Sequence, residues 1–191
     1  MTMSEPPLLE VEDLDVTFEG GRAPLRAVRD VSFTLRRERL GIVGESGSGK
    51  STTGRALLGL LPQSAKVSAR RMSFEGTQLL GLSAGGWRKL RGRRMSMVMQ
   101  DPKFSLNPVL KVGKQIMETL RLHSDVSSAE AKRQALAMLE AVRIRDPESV
   151  FHLHPHQLSG GMGQRVMIAA MLIAEPDLLI ADEPTSALDV T

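Results

Sequence analysis

Cysteine is absent from the 191 residues of this chain. Disulfides and thiolate metal sites are therefore excluded, and a cytosolic location is the simplest expectation. The longest apolar run, Val166 to Ala174, is much shorter than the roughly 20 residues that span a bilayer. No charged and apolar leader precedes the first strand pattern, so no export signal is evident.

Aromatic side chains are also scarce, at 3% of the residues with no tyrosine. The densest basic stretch, Trp87 to Arg94, has two interpretations: a patch for a phosphate backbone, or a solvated surface beside a buried strand. Few rings are available to stack on bases, so we favour the solvated surface and expect no nucleic-acid partner. The remaining composition, 41% apolar and 25% charged, is that of one ordinary globular domain.

The first sixty residues contain three predicted strands and one predicted helix. Leu8 to Phe18 and Ala27 to Leu35 alternate loosely between apolar and polar side chains, which predicts half-buried strands. Leu40 to Val43 predicts a third, short strand that leads directly into a glycine-rich loop. Apolar residues then recur at helical spacing from Ser51 to Leu61, and Pro62 ends that helix.

Three more short apolar segments predict strands: Met72 to Phe74, Met95 to Met99 and Leu178 to Ala181. Together with the strand, loop and helix order of the first part, they predict an α/β fold. We expect one domain over residues 1–191, in which residues 1–100 and 160–191 form the core.

Residues 101–159 are expected to form a helical subdomain inserted into that core. Ser127 and Glu130 have the spacing of a capping box, which predicts the start of a helix. A second helix is predicted after Gly161. The first helix places five residues on one apolar face: Ala131, Ala135, Met138, Leu139 and Val142.

Residues 44–51 read Gly-Glu-Ser-Gly-Ser-Gly-Lys-Ser and match the P-loop pattern in full. Glycines let backbone amides turn toward anionic oxygens, and the helix that follows adds its N-terminal amides. Lys50 can reach the β- and γ-phosphates, and the Ser51 hydroxyl can ligate Mg²⁺. A flexible linker is the alternative, but the flanking strand and helix favour phosphate binding. The expected nucleotide-binding residues here are Gly44, Glu45, Ser46, Gly47, Ser48, Gly49, Lys50, Ser51 and Thr52.

Asp182 and Glu183 close the last apolar strand, which we expect to be buried. Successive strand side chains point to opposite faces, so one carboxylate can hold a metal while the other orients a water. A parallel sheet places both beyond its carboxyl edge, where the P-loop also opens. Alone, this pattern is often only a strand end with a solvated turn. With the P-loop it predicts ATP or GTP hydrolysis.

Leu158 to Arg165 forms a second glycine-containing turn at the start of a helix. A plain helix start with Ser159 as N-cap is the simple interpretation. The turn has a hydroxyl and free amides for a phosphate, but no lysine and no second acidic strand. Alongside the P-loop, it predicts a half-site that completes a nucleotide site elsewhere, most simply on another subunit.

The order of these motifs resembles the ATP-binding subunits of ABC transporters. Leu158 to Met162 looks like the signature of that family, so the resemblance implies that Ser159, Gly160 and Gly161 contact nucleotide bound to a partner subunit. Phe18 is similar to the residue that stacks on adenine, where tyrosine is commoner. The resemblance implies a RecA-like P-loop NTPase core with a parallel sheet, an antiparallel β subdomain and an inserted helical subdomain.

The resemblance also implies catalytic and metal-binding residues. Gln100 matches the glutamine that joins the metal and water site to the transporter contact region. Asp182 matches an Mg²⁺-associated aspartate, Glu183 matches the general base, and Asp189 matches a loop that touches the partner's site. The implied catalytic residues are Glu183, Lys50 and Gln100, and the implied metal ligands are Ser51, Gln100 and Asp182.

Longer strings resemble the ATPases of peptide and nickel importers. Residues 100–108 read QDPKFSLNP, residues 154–157 read HPHQ, and residues 181–191 read ADEPTSALDVT. The resemblance implies import of di- or oligopeptides, driven by ATP and Mg²⁺ at the cytoplasmic face of the inner membrane. It also implies a second ATPase subunit and transmembrane permeases, which Gln100 to Pro108 would contact. The cargo, and whether the second subunit is identical, stay open.

The chain departs from the family at three places. Arg37-Glu38 stands where relatives usually have an extra glycine, and Gly163 stands where arginine is frequent, which weakens the helix. The chain also stops at Thr191, before the family's last histidine, so we expect a C-terminally truncated part of a longer ATPase. A nucleotide-binding module without turnover is the alternative. A soluble ABC ATPase acting on ribosomes or DNA is less favoured, because tandem domains and long coiled-coil insertions are not seen.

Overall fold

The computed structural model describes residues 6–20, 23–99 and 105–183. The chain divides into two compact units, with the boundary after Arg88. No helix among these described residues is long and apolar enough to cross a membrane. The proposed division into a core and a subdomain over 101–159 stays a prediction.

An antiparallel sheet organises the first unit. Its strands are β1 (Leu9–Phe18), β2 (Leu25–Leu35), β3 (Ala65–Ser68), β4 (Arg71–Phe74) and β5 (Thr77–Gln78). The central strand β1 pairs antiparallel with β2, β3 and β4, and β5 extends the sheet beside β4. The predictions of strands at 8–18, 27–35 and 72–74 are confirmed, whereas β3 and β5 were not predicted.

A local irregularity in β1 explains why its alternation is loose. Val11, Leu14 and Val16 are all buried, although the first two are three residues apart. The register with β2 shifts between Val11 and Leu14, and Asp13 in that interval has φ of 54°. Its N–H donates to Ser32 Oγ at 2.8 Å. Such an irregularity inserts a residue without turning the buried face away from the core.

Residues 40–43 do not form the strand that the sequence predicts. Leu40, Ile42 and Val43 are 48%, 51% and 97% exposed, and no neighbouring strand pairs with them within the part of the chain that the structure describes. A strand needs a partner for its amides and carbonyls, so apolar composition alone does not create one. The prediction of a strand from Leu40 to Val43 is therefore wrong.

Two helices accompany the strands of the first unit, α1 (Lys50–Leu57) and α2 (Ala84–Leu90), and α2 spans the boundary after Arg88. The predicted helix at 51–61 is real, but it ends earlier, because Gly59 adopts φ of 59° directly after the C-cap Leu58. Glycine commonly ends helices in this left-handed conformation. No residue of α2 is buried, so its sequence has no apolar stripe from which it could be predicted.

The second unit combines helices with a two-stranded parallel sheet. The helices are α3 (Val112–His123), α4 (Ser128–Ala141), α5 (Pro147–His152) and α6 (Gly160–Leu172), with a short 3₁₀ turn at Pro155–Gln157. The strands are β6 (Met95–Val98) and β7 (Leu178–Ala181), which pair in parallel. All four helices contribute to one apolar core, and α6 also contacts β6.

The predicted start of α4 after Ser127 is confirmed. Ser127 Oγ accepts from the Glu130 N–H at 3.2 Å, while the Glu130 carboxylate contacts Arg133 and Gln134. Hydrogen bonds from Arg133 and then Gln134 hold the pKa of Glu130 below its usual value. The predicted apolar face is also correct: Ala131, Ala135 and Leu139 are buried, and Met138 and Val142 pack around them.

Candidate nucleotide-binding loop and signature turn

The P-loop residues form a tight turn ahead of α1 in the first unit. Gly47 and Gly49 have φ of 83° and 92°, in the left-handed region that glycine enters at little cost. The Ser48 N–H donates to the Glu45 carbonyl at 3.2 Å, which closes the turn. The Thr53 N–H donates to the Gly49 carbonyl at 2.8 Å and begins the ladder of α1.

Lys50 folds back over the start of this loop. Its Nζ donates to the carbonyl oxygens of Gly44 and Glu45, each at 2.7 Å, and lies 3.4 Å from Ser48 Oγ. A Cβ on Gly44 would lie 2.7 Å from Ser48 Oγ, so a side chain there would displace the Ser48 hydroxyl. Its cation and its N-terminal helix amides are the groups that phosphate binding requires.

The end of the loop is pressed against β2. A Cβ on Gly49 would lie 2.5 Å from the Ala27 carbonyl oxygen and 3.2 Å from Val28 Cγ2. The Ala27 oxygen belongs to the backbone of a paired strand, so it cannot move aside as a flexible side chain would. Gly49 is therefore required both for its φ and for this close approach.

Phe18 lies at the same end of the first unit's sheet. It is the last residue of β1 and pairs with Leu25 on one side and Ala65 on the other. Val16, two residues earlier, pairs with the Val28 that contacts Gly49. Two residues of strand span roughly 7 Å, so the half-buried Phe18 ring and the loop belong to one corner of this unit.

In the second unit, Asp182 and Glu183 follow β7 directly. Val98 and Ala181 are register partners, and the Asp182 N–H continues the ladder with a 2.9 Å bond to the Val98 carbonyl. Asp182 is half-buried and Glu183 is exposed. Gln100 follows the end of β6 but lies outside the described residues, as does Asp189.

The strand before these carboxylates is less buried than expected. Leu178 is buried, but Leu179 is 39% exposed and Ala181 is also exposed. The expectation of a buried strand is therefore wrong for these two residues, since only β6 pairs with β7 in the described part of the chain. Glu183 itself has φ of 47°, a strained conformation of the kind that concentrates at functional sites.

The second glycine-containing turn caps α6. Ser159 Oγ accepts from the Met162 N–H at 3.3 Å, and the Ser159 carbonyl accepts from the Gly163 N–H at 2.8 Å. The simple interpretation of Ser159 as an N-cap is thus correct. Ser159 and Gly160 are exposed, so the cap leaves this edge of the turn accessible.

The sequence analysis did not predict two contacts made by arginine side chains in the second unit. Arg94 and Asp177 form an ion pair between the residues that precede β6 and β7, and it helps to set the register of the two strands. Charges of opposite sign directly before each apolar segment were the available signal. Arg165 donates to the Arg143 carbonyl, and a side-chain bond to a distant backbone oxygen leaves no such signal.

The profile of the ABC transporter family matches residues 28–186. This span contains the P-loop, the Ser159 turn and the two carboxylates after β7. The chain belongs to the ABC transporter family. Its similarity to individual members extends over 96% of this chain.

Two relatives illustrate this similarity. A probable peptide ABC transporter ATP-binding protein, y4tR of Sinorhizobium fredii, is 52% identical over 186 residues, which are 96% of this chain and 56% of the relative. The oligopeptide transport ATP-binding protein OppD of Escherichia coli is 50% identical over 185 residues, 96% of this chain and 55% of OppD. The chain spans about half the length of the curated relatives it matches.

Solved structures of ABC cassettes share the fold. A dimeric structure of MJ0796, a bacterial ABC transporter cassette, has a TM-score of 0.84 and 28% identity, over 95% of this chain and 76% of that one. A post-hydrolysis MJ0796 structure bound to ADP and Pi has a TM-score of 0.81 with the same identity and coverage. The predicted fold, that of an ABC ATPase cassette, is confirmed.

Proposed function

We propose that this ABC transporter chain belongs to the ATP-binding and hydrolysing subunit of an importer of di- or oligopeptides. The turn of residues 44–49, with the Lys50 ammonium held over it by two carbonyl oxygens at 2.7 Å, is the observation on which the proposal depends. It combines a nest of amides, a helix N-terminus and a cation, which together suit a triphosphate.

The triphosphate would replace the carbonyl oxygens as the partner of Lys50. The ammonium would exchange two neutral acceptors for anionic oxygens, which form stronger hydrogen bonds. Phe18 would stack on the adenine ring from the same corner of the first unit. The loop residues Gly44 to Thr52 would supply amides and hydroxyls, with Ser51 at the helix start.

Mg²⁺ suits the donors proposed for it. The Ser51 hydroxyl, Gln100 amide and Asp182 carboxylate all offer oxygen, the ligand that Mg²⁺ prefers. When bound, the ion would neutralise charge on the β- and γ-phosphate oxygens. Glu183 would accept a proton from the attacking water as general base.

A second ATPase subunit would complete each site. Ser159, Gly160 and Gly161 would present a hydroxyl and amides to nucleotide on the partner, and Asp189 would contact the same site. The exposed, capped turn before α6 supports this arrangement, as does the MJ0796 cassette that is described as a dimer. Hydrolysis would then separate the two subunits.

Movement would pass to permease subunits through the Gln100 to Pro108 region at the cytoplasmic face of the inner membrane. The names of the relatives support peptides as cargo, because y4tR and OppD are both described as peptide transport proteins. Deleting the gene should abolish uptake of a radiolabelled tripeptide and leave Ni²⁺ uptake unchanged. Loss of Ni²⁺ uptake alone would contradict peptide transport.

The base assignment is tested with Glu183→Gln in the complete subunit. We expect ATP affinity within twofold of the unsubstituted subunit and phosphate release slowed about 100-fold or more, because the amide cannot accept the proton. Glu140→Gln, at another exposed glutamate, is the control and should hydrolyse normally. Equal hydrolysis by Glu183→Gln would contradict the base, and binding without phosphate release by the unsubstituted subunit would favour a module without turnover.

A further inference from the structure

Helix α4 ends in a left-handed turn that redirects a carbonyl group. The Ile144 N–H donates to the Leu139 carbonyl at 3.0 Å, and the Arg143 N–H donates to the Glu140 carbonyl at 2.9 Å. These two bonds form a Schellman motif, with Arg143 at the position where glycine is usual. Arg143 accordingly has φ of 64°. Leu139 and Ile144 are both buried, so the turn is anchored in the core.

The Arg143 carbonyl accepts a hydrogen bond from α6. Arg165 Nη1 donates to it at 2.7 Å, from a position six residues after the N-cap Ser159. Six residues of helix rise about 9 Å, so the contact lies in the second turn of α6. Val166, the next residue, is fully buried in the core that α4 shares. The bond therefore joins two rigidly packed elements.

The first turn of α6 has little intrinsic helical stability. It contains Gly160, Gly161 and Gly163, and each glycine costs roughly 1 kcal/mol relative to alanine within a helix. The Ser159 cap, at 3.3 Å, is the one side-chain cap of this terminus. The direction of the first turn of α6 therefore depends on the contacts that fix the second turn.

We propose that Arg165 is a positioning residue for the Ser159 turn. By binding the Arg143 carbonyl it fixes the rotation of α6 about its axis, and with it the direction in which Ser159, Gly160 and Gly161 offer hydrogen bonds. This inference rests on the proposed function, in which that turn contacts nucleotide on a second subunit. Arginine suits the task because its planar donors have a fixed direction, whereas a lysine ammonium is a compact point charge.

The test uses the complete subunit with Glu183→Gln, so that ATP is not consumed. Isothermal titration measures ATP affinity in the separate subunit, and analytical ultracentrifugation measures ATP-dependent pairing. In Arg165→Met we expect the ATP concentration for half-maximal pairing to rise about fivefold, while ATP affinity stays within twofold. Arg165→Lys should fall between, because it keeps the charge without the planar donors.

Two matched controls separate this role from a loss of stability. Arg143→Gly keeps the carbonyl and suits φ of 64°, so it should pair like the unsubstituted subunit. Arg145→Met removes an exposed arginine two residues away and should also pair normally.

Normal pairing by Arg165→Met would overturn the inference, and so would equal weakening by Arg143→Gly. If Arg165→Met does not fold, normal pairing by Arg165→Lys would overturn it. A complete subunit that binds no ATP, or does not pair with it, would instead contradict the proposed function.

Discussion

At the scale of single residues, the absence of a Cβ at Gly49 lets the P-loop pack closely against β2. We expect Gly49→Ala to lower the free energy of unfolding by about 2–4 kcal/mol, through an unfavourable φ and a clash with a strand carbonyl. Urea unfolding measures the loss. Gly76→Ala is the matched control, because Gly76 has φ of 76° but open space around it. It should lose about 1 kcal/mol, and equal losses would show that the Ala27 contact does not matter.

Lys50 should be needed for nucleotide and not for folding. Its ammonium contacts two carbonyl oxygens in the exposed loop, so Lys50→Met should change the free energy of unfolding by less than about 1 kcal/mol. ATP affinity should fall at least about tenfold, since the phosphate oxygens lose a cationic donor. Fluorescent-nucleotide titration measures this, with Arg37→Met, at an exposed cation of the same unit, as control. Unchanged affinity would remove Lys50 from the site.

The sequence predicts residue types better than residue conformations. The P-loop glycines and the Ser159 cap follow from spacing, because turns and caps are decided by neighbours along the chain. The left-handed φ of Glu183 and the hydrogen bonds from Lys50 to two loop carbonyls do not follow from the sequence. They depend on contacts that no periodicity records.

At the scale of helices, the cap of α5 should make stability depend on pH. Asp146 Oδ1 accepts from the Ser149 N–H at 3.1 Å, and hydrogen bonds from Ser149 hold the pKa of Asp146 below its ordinary value. A lowered carboxyl pKa contributes stability above the unfolded pKa, and this contribution is lost as pH falls through the folded pKa. We therefore expect Asp146→Asn to be less stable near neutrality, with the difference shrinking in acid. Urea unfolding between pH 7 and pH 3 measures it, and a constant difference would contradict the cap.

Helices α3 and α5 meet where Gly113 has no side chain. A Cβ there would lie 2.3 Å from Phe151 ring atoms, so Gly113→Ala should cost about 1–3 kcal/mol of unfolding free energy. When Phe151→Leu is combined with Gly113→Ala, the loss of unfolding free energy should be smaller than the sum of the two separate losses. A double-mutant cycle measures this difference. Gly85→Ala, in the exposed helix α2, has room for its Cβ and should be neutral or stabilising. Additive losses would rule out this contact.

The elements that could be predicted are those with a strong local pattern. Helix α4 has both an apolar stripe and a cap, and β1 and β2 alternate enough to be recognised despite an irregular register. Residues 40–43 have the composition of a strand but no pairing partner among the described residues, so local pattern misleads there. No residue of helix α2 is buried, so its sequence has no apolar stripe that would predict it.

At the scale of the molecule, the exposed apolar residues Leu40, Ile42 and Val43 are expected to promote self-association. Contiguous apolar surface promotes association, so we expect this chain to self-associate, and less so in the double variant Ile42→Ser and Val43→Ser. Sedimentation velocity at several concentrations measures this. Leu122→Ser, at an isolated leucine that is 79% exposed, should leave association unchanged. Equal relief by both variants would mean that contiguity is not the cause.

The contact between Gly49 and the Ala27 carbonyl constrains how such a chain can vary. Backbone forms one side of this contact, so the contact depends on the register between β1 and β2 and not on the side chain of Ala27. One residue inserted between Ala27 and Val28 would shift the backbone that contacts Gly49 and leave the P-loop sequence unchanged. A homologue with a perfect motif string and a slipped hairpin would then be unable to hold its loop.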